Sequence, residues 1–219
     1  MSGPVDTPFM RQYNALRREE PAGAVLLVRT GGYYNALGMD AETISAILPW
    51  GRASMLGAPA FVATRSALGD VVSALLRSGV RVSVAEQVED VRASRGGVVR
   101  REVMIRAVPS PKSGVVVKMT LRPEYYNAIR YGEKRIEYRD MTDYWEERLW
   151  ANGRAGRIAA VTFYRGNAPE SMTWRTAGIV RNASEQLFEI YLAEPLDGIP
   201  SVRYTADGMA WTDASRAKN

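Results

Sequence analysis

The chain has 219 residues, 46% of them hydrophobic, and a formal net charge of +5. It contains no cysteine and no histidine, which excludes disulfides, thiol chemistry and nucleophilic sites of the Ser-His or Cys-His type, and argues against zinc. No apolar run approaches the roughly 20 residues of a membrane helix, and the first residues lack a secretory signal, so we expect a cytoplasmic protein without membrane, metal or cofactor.

The first half alternates helical and strand-like segments. Thr7 is a candidate N-cap and Pro8 suits the first helical position, which predicts a helix at the start of the chain. Helices are predicted over residues 7–19, 40–48 and 66–79, and strands over 24–30, 60–65, 80–87 and 101–108. This alternation predicts an α/β domain, a mixed sheet with flanking helices.

A linker composition separates the two halves of the chain. Residues 107–118 hold two prolines, two serines and a glycine between apolar runs. Each half is long enough to form a domain of its own. The sequence therefore predicts domains over residues 1–111 and 112–219, the second with a C-terminal extension.

Short strands and small helices fill the second half. Strands are predicted over residues 115–121, 135–140, 157–165, 172–182 and 201–212, and helices over 122–133 and 184–194. Such a pattern is typical of a small α+β protein with a partly closed β-barrel.

The segment YGEKRIEYRD, residues 131–140, groups several charges. With the period of two of a strand, Arg135, Glu137 and Arg139 share one face, and Ile136 and Tyr138 share the other. The pattern leaves two interpretations open. One is a solvated sheet face with paired charges. The other is a polar site that binds an anionic or base-like ligand.

Four blocks of the first half resemble, in order, the N-terminal mismatch-recognition domain of MutS proteins. They are TPFMRQY, LLVRTGGYYNAL, VRVSVAEQVED and VVRREVMIRAVPSP, and from first to last they span nearly all of residues 6–111. The family carries a Phe-x-Glu motif after its first strand. The resemblance implies that an aromatic ring wedges into a DNA stack beside a mispaired base, while the carboxylate hydrogen-bonds that base.

This chain has Tyr33 and Asn35 at the two positions of the motif. A tyrosine can still stack on a base, at about 1–3 kcal/mol per base. An asparagine offers both a donor and an acceptor, whereas an ionised glutamate only accepts. The chain also lacks a GxxxxGK[ST] loop, so we expect a recognition module without an NTPase motor.

The second half resembles the ASCH family, a group of PUA-like barrels associated with RNA and modified nucleotides. The resemblance rests on Gly-x-Lys-x-x-Glu-x-Arg, present as Gly132, Lys134, Glu137 and Arg139, and covers residues 114–195. The segments LRPEYYNAIRYGEK and VTFYRG support it. The resemblance implies a ligand cleft lined by these side chains.

The candidate nucleic-acid-binding residues follow from the two resemblances. They are Tyr33, Asn35, Lys134, Arg135, Glu137, Arg139, Tyr164 and Arg165, the last two as candidates for the rim of the cleft. Some ASCH proteins resemble amidohydrolases that use a Lys-x-x-Thr arrangement, and Glu137 stands at the threonine position here. If the chain is an enzyme, Lys134 and Glu137 are its candidate catalytic residues.

Three functions stay open. The leading hypothesis is a nucleic-acid-binding protein whose first half contacts DNA or a distorted duplex and whose second half accommodates a base or nucleotide. The second is a hydrolase acting on a modified nucleoside or RNA, so the sequence leaves open whether the chain is an enzyme. The third is a protein-interaction adaptor of the kind that phages or mobile elements use. The expected partners are DNA or RNA, or a protein in the third case.

Overall fold

The computed structural model describes residues 6–89 and 99–197, and the backbone of residues 202–205 and 208–211. The chain divides into two compact units. The first consists of Met1–Pro109 and Val180–Leu187, and the second of Ser110–Ile179 and Phe188–Asn219. Each unit is described by itself below.

The first unit is a mixed sheet with three helices. The helices are α1 (Pro8–Glu19), α2 (Met39–Ile47) and α3 (Leu68–Arg77). The strands are β1 (Ala24–Thr30), β2 (Tyr33–Leu37), β3 (Arg52–Met55), β4 (Ala58–Thr64), β5 (Arg81–Gln87) and β6 (Arg101–Pro109). They lie in the order β3-β4-β2-β1-β5-β6, with β1 and β5 parallel and the other neighbours antiparallel. The predicted α/β architecture is confirmed.

Local signals explain these elements. The Thr7 hydroxyl accepts a hydrogen bond from the Met10 amide at 3.2 Å, which caps α1 as predicted. The apolar strand β1 is buried along most of its length, and Leu26 and Leu27 are completely covered. Burying one such leucine contributes about 1.5–3 kcal/mol. The core therefore holds the hairpin of β1 and β2 in place.

The second unit contains two helices and a five-stranded sheet. The helices are α4 (Pro123–Arg130) and α5 (Asp143–Leu149), and a 3₁₀ segment follows over Ala151–Arg157. The strands are β7 (Val115–Leu121), β8 (Ile136–Asp140), β9 (Ile158–Arg165), β10 (Ser171–Asn182) and β11 (Leu187–Pro195), in the order β7-β9-β10-β11-β8. Two further strands, β12 (Val202–Thr205) and β13 (Gly208–Trp211), pair with each other.

The partly closed barrel predicted for the second half is not shown, because no ladder joins β8 to β7 within the described residues and the sheet is not closed. Arginine side chains meet the β7 carbonyls instead. Arg139 donates to the Thr120 carbonyl at 3.3 Å, and Arg148 donates to the Lys118 carbonyl at 3.4 Å. Guanidinium groups thus supply donors that a paired strand would have supplied. The sheet stays open at this edge.

The helix predicted over residues 184–194 is wrong, since this segment forms β11. The Asn182 side chain accepts hydrogen bonds from the Ser184 hydroxyl at 2.6 Å and the Glu185 amide at 3.2 Å, which makes a tight turn after β10. Phe188 and Ile190 are then both buried, two positions apart, as in a strand. The turn and the sheet override the helical propensity of the sequence.

Gly51 provides a test of packing in the first unit. A β-carbon at Gly51 would lie 2.5 Å from a ring carbon of Phe61 and 2.9 Å from the Val62 carbonyl, at a φ of +77°. We expect Gly51→Ala to lower the free energy of unfolding by about 2–4 kcal/mol through overpacking and backbone strain. Urea denaturation measures this change.

The matched control is Gly69→Ala, because a β-carbon at this position in α3 meets no atom within 4 Å. We expect it to raise the free energy of unfolding by up to about 1 kcal/mol, since alanine favours a helix over glycine. Equal effects of the two substitutions would contradict the packing around Gly51.

Candidate nucleic-acid interface

Tyr33 begins β2 directly after a two-residue turn. Thr30 and Tyr33 pair across the hairpin, so Gly31 and Gly32 alone form the loop. Gly31 has a φ of +60°, which suits the glycine position of a type II′ turn. The Tyr33 side chain stands at this tip and is 53% exposed. The hairpin thus presents an aromatic ring to solvent.

The neighbouring residue Tyr34 lies on the opposite face and anchors the turn. Its hydroxyl donates to one oxygen of the buried Glu86 carboxylate at 2.5 Å, and Arg29 donates to the other oxygen at 3.0 Å. The Gly31 amide donates to the Gln87 side chain at 3.2 Å. Burial, and then the hydrogen bond to Glu86, raise the pKa of Tyr34, so the phenol stays protonated. These contacts fix the turn to the end of β5.

Asn35 shares a strand face with Tyr33 but is only 3% exposed. Its amide donates to the Thr30 hydroxyl at 3.1 Å. The structure thus places the two residues of the motif in different environments, one exposed and one buried. Of the pair, only the Tyr33 ring is open to a partner.

The end of the sheet that carries Tyr33 is also rich in arginine. Thr64 at the end of β4 pairs with Tyr33, and Gln87 at the end of β5 pairs with Arg101 at the start of β6. These strand termini therefore lie together at one end of the sheet. Of the four arginines within one residue of these ends, Arg65 and Arg100 are exposed. Arg29 pairs with the buried Glu86, and Arg101 is 8% exposed and donates to the Arg29 carbonyl. Arginine is well suited to bind phosphate.

In the second unit, three of the predicted residues come together around β8. Glu137 is buried with a side chain only 2% exposed, and it forms ion pairs with both Lys134 and Arg139. The Lys134 ammonium lies 2.6 Å from one carboxylate oxygen, and Arg139 donates to the other. The pairing of charges in the first interpretation is therefore present, but the face is not solvated at Glu137, which is buried. The three charges form one polar cluster.

The remaining predicted residues make other contacts. The Arg135 guanidinium lies 5.0 Å from the centre of the Trp174 ring. Arg165 pairs with Glu170 at 3.3 Å, and Tyr164 is half-buried on β9. The cluster around Glu137 therefore consists of three residues of the Gly-x-Lys-x-x-Glu-x-Arg motif, Lys134, Glu137 and Arg139.

Sequence reasoning missed the aromatic residues around this cluster. The Lys134 ammonium lies 4.7 Å from the Tyr125 ring centre and 5.6 Å from that of Tyr138. The Arg139 guanidinium lies 5.2 Å from the Trp145 ring centre. The available signal was composition, because six of the 21 residues from 125 to 145 are aromatic, against 9% for the chain.

Two cavities of the described residues lie in the first unit, away from the predicted site residues. The larger, of about 520 Å³, is lined by α1, β1 and the start of α2 in the first unit. At its wall, the Tyr13 hydroxyl donates to the buried Asp40 carboxylate at 2.6 Å, and Arg17 lies 3.2 Å from it. Burial raises the pKa of Asp40. A cavity of about 320 Å³ lies between α2, β3 and β4. Neither is lined by a predicted site residue.

Within residues 6–89 and 99–197, acidic side chains form no group that could hold a metal ion. Among the helices of the described part of the chain, none has the length and apolar composition that crossing a bilayer requires.

Residues 7–111 match the family model of MutS domain I. This match confirms the resemblance predicted for the first half of the chain. The ASCH resemblance of residues 114–195 has no comparable support and stays a prediction.

Several curated relatives named DNA mismatch repair protein MutS are similar to part of this chain. The protein of Salinibacter ruber is 36% identical over 139 residues, covering 59% of this chain and 15% of the relative. That of Thermosipho melanesiensis is 32% identical over 133 residues, covering 59% and 16%. That of Methanothrix thermoacetophila is 31% identical over 132 residues, covering 55% and 14%. The chain thus spans only 14–16% of the length of these relatives.

Removing Glu137 should destabilise the second unit. In Glu137→Ala, Lys134 and Arg139 lose the carboxylate that pairs with both of them. We expect a loss of about 3 kcal/mol or more in the free energy of unfolding, measured by urea denaturation. The control is Glu170→Ala, whose 50%-exposed carboxylate pairs with Arg165 and should cost less than about 1 kcal/mol. Similar losses in both variants would contradict the role of Glu137.

Tyr34→Phe should show how the contribution of the Tyr34 hydroxyl to the free energy of unfolding depends on pH. The variant loses the hydrogen bond to Glu86 and should cost about 1–2 kcal/mol at pH 7. The folded-state pKa of Tyr34 lies above its ordinary value of 10, so its contribution is complete below pH 10 and is lost as pH rises further.

The stability gap between wild type and Tyr34→Phe should therefore narrow above pH 10, as measured by denaturation at pH 7 and pH 11. Tyr33→Phe is the control, since that side chain is exposed. A gap that stays constant with pH would argue against a buried, protonated Tyr34.

Proposed function

We propose that the chain binds DNA through the end of the first unit that carries Tyr33. The observation that carries the proposal is the half-exposed Tyr33 ring on an anchored turn, within a segment that matches MutS domain I. The named function of the MutS relatives is DNA mismatch repair. For this chain the proposal is limited to binding.

The rigidity of the turn supports a wedge function. Unstacking a base step costs a few kcal/mol. A side chain inserted between the bases must therefore be held firmly by the protein. The contacts of Tyr34 and Gly31 to β5 hold the turn before any DNA binds. Because the turn is already ordered, the protein loses less conformational entropy when it binds DNA.

The arginines at the same end supply the second part of the interface. Arg65 and Arg100 are exposed and lie at the ends of β4 and β6. Such side chains contact phosphates and orient a duplex without reading its sequence. Binding should therefore weaken as salt rises, because phosphate contacts release counterions.

The burial of Asn35 bears on mismatch recognition. Its amide already donates to Thr30, and 3% exposure leaves little surface for a base edge. We infer that Tyr33 selects DNA steps that unstack easily and that Asn35 does not read the identity of a mispaired base. Selection would follow the deformability of the duplex.

For the second unit we propose a base or nucleotide site of the ASCH type near Lys134, Glu137 and Arg139, with residues 1–111 and 112–219 acting as separate modules. Arg135, Tyr164 and Arg165 are candidates for its surroundings. The ion pair of 2.6 Å between Lys134 and Glu137 favours binding over hydrolysis, because a general base needs an unprotonated amine. RNA remains an alternative ligand for this unit.

Tyr33→Ala should weaken binding to a duplex that contains a one-base bulge. Loss of the stacking ring should reduce affinity about 5- to 100-fold, while Tyr33→Phe keeps the ring and should bind like wild type. Fluorescence anisotropy with labelled bulged, mismatched and fully paired duplexes measures the change. Repetition at 50 and 200 mM salt reports the phosphate contribution.

Met39→Ala is the matched control, because Met39 is 81% exposed and follows the opposite end of β2. It should bind every duplex like wild type. Asn35→Ala should leave the ranking of different mismatches unchanged. No binding to any duplex at 50 mM salt, or equal binding by Tyr33→Ala and wild type, would overturn the proposal.

A further inference from the structure

Aromatic rings, three of them exposed, alternate with partly covered cations in one region of the second unit, here called the aromatic array. Its members are Tyr125, Tyr138, Tyr144 and Trp145 with Lys134, Arg139 and Arg148. They come from α4, β8 and α5 and from the segment before β8. Three separate elements thus contribute to one continuous surface.

The rings of the array are unusually open for their size. Tyr125 is 46% exposed, Tyr138 is 44% exposed and Tyr144 is 58% exposed. A tyrosine that serves only to fill a core is mostly covered. These rings instead offer their surface to a partner.

The cations between the rings are held by the protein. Lys134 and Arg139 both pair with the buried Glu137, and Arg148 donates to the Lys118 carbonyl at 3.4 Å. Arg148 lies 5.1 Å from the Tyr144 ring centre and 5.9 Å from that of Trp145. Its buried Nε has no hydrogen-bond partner among the described residues. The array is therefore ordered, with one donor still unused.

The net charge of this region indicates how a ligand would be held. Residues 122–150 contain six basic and seven acidic side chains. A nearly neutral surface attracts a polyanion weakly through charge alone. Aromatic faces, in contrast, stack on any base and arginine planes stack as well. The ligand that fits has bases free to stack.

We propose that the aromatic array binds a single-stranded nucleic acid by stacking several unpaired bases on Tyr125, Tyr138 and Tyr144. The inference rests on the proposed base-binding role of the second unit and extends it from one nucleotide near Glu137 to a run of nucleotides across the surface. A duplex does not fit this description, because its bases are already stacked on each other.

The test uses the full chain with labelled dT20 and rU20 in fluorescence anisotropy. Tyr125→Ala and Tyr144→Ala should each lower affinity about 5- to 100-fold, and the corresponding Phe variants should bind like wild type. Tyr131→Ala, at another exposed tyrosine of the unit, is the control and should have no effect. The dT20 and rU20 measurements show which sugar is preferred.

Salt dependence separates stacking from charge. For a single strand, each phosphate contact contributes about −0.7 to the slope of log affinity against log salt concentration. If each of the three cations of the array contacts one phosphate at most, the slope is about −2 or shallower. Quenching of tryptophan emission by dT20, reduced in Trp145→Tyr, gives an independent measurement of contact at the array. Thermal melts of each variant confirm that it is folded.

Failure of both dT20 and rU20 to bind would overturn the inference. So would binding that the tyrosine-to-alanine variants leave unchanged, or a slope much steeper than about −2. If dT20 binds no more tightly than thymidine monophosphate, the proposal that several bases stack on the array is overturned, while the proposed single-nucleotide site is retained. Duplex binding through Tyr33 is measured separately and is unaffected by either outcome.

Discussion

A buried carboxylate held by two cations is the interaction on which the second unit depends. Removing one ion from water costs several kcal/mol, so Glu137 can be buried only if its partners stay in place. That requirement fixes Lys134 and Arg139, and through them the positions of charge between the exposed rings. The first unit has a comparable arrangement, in which Glu86 accepts from Tyr34 and Arg29 and so holds the turn that carries Tyr33.

The two proposed surfaces differ in how they attract nucleic acid. The first combines one exposed ring with arginines at the ends of several strands, which suits a duplex backbone and a local distortion. The second has more rings and almost no net charge, which suits unpaired bases. In both, ordered side chains face the solvent, so binding requires little rearrangement of the protein.

Much of the candidate site could be predicted from local patterns, and the rest could not. The alternation of charges in residues 135–139 indicated that Glu137 and Arg139 share a face, and both contact the same cluster. The burial of Asn35 was hidden, because a polar residue beside an exposed tyrosine looks equally exposed in sequence. Trp145 lies under the Arg139 guanidinium and Tyr144 under that of Arg148, contacts that the periodicity of a single helix or strand does not indicate.

The sequence by itself determined the mixed α/β fold of the first unit, the cap of α1 and most strands, because these depend on spacing and on residues within a few positions of each other. Tertiary structure alone decided that residues 187–195 form a strand and that the second sheet stays open beside β7. It also decided which charges are buried. Each of these outcomes depends on partners distant in the chain, such as Arg139 and the Thr120 carbonyl, whose contact no local propensity can specify.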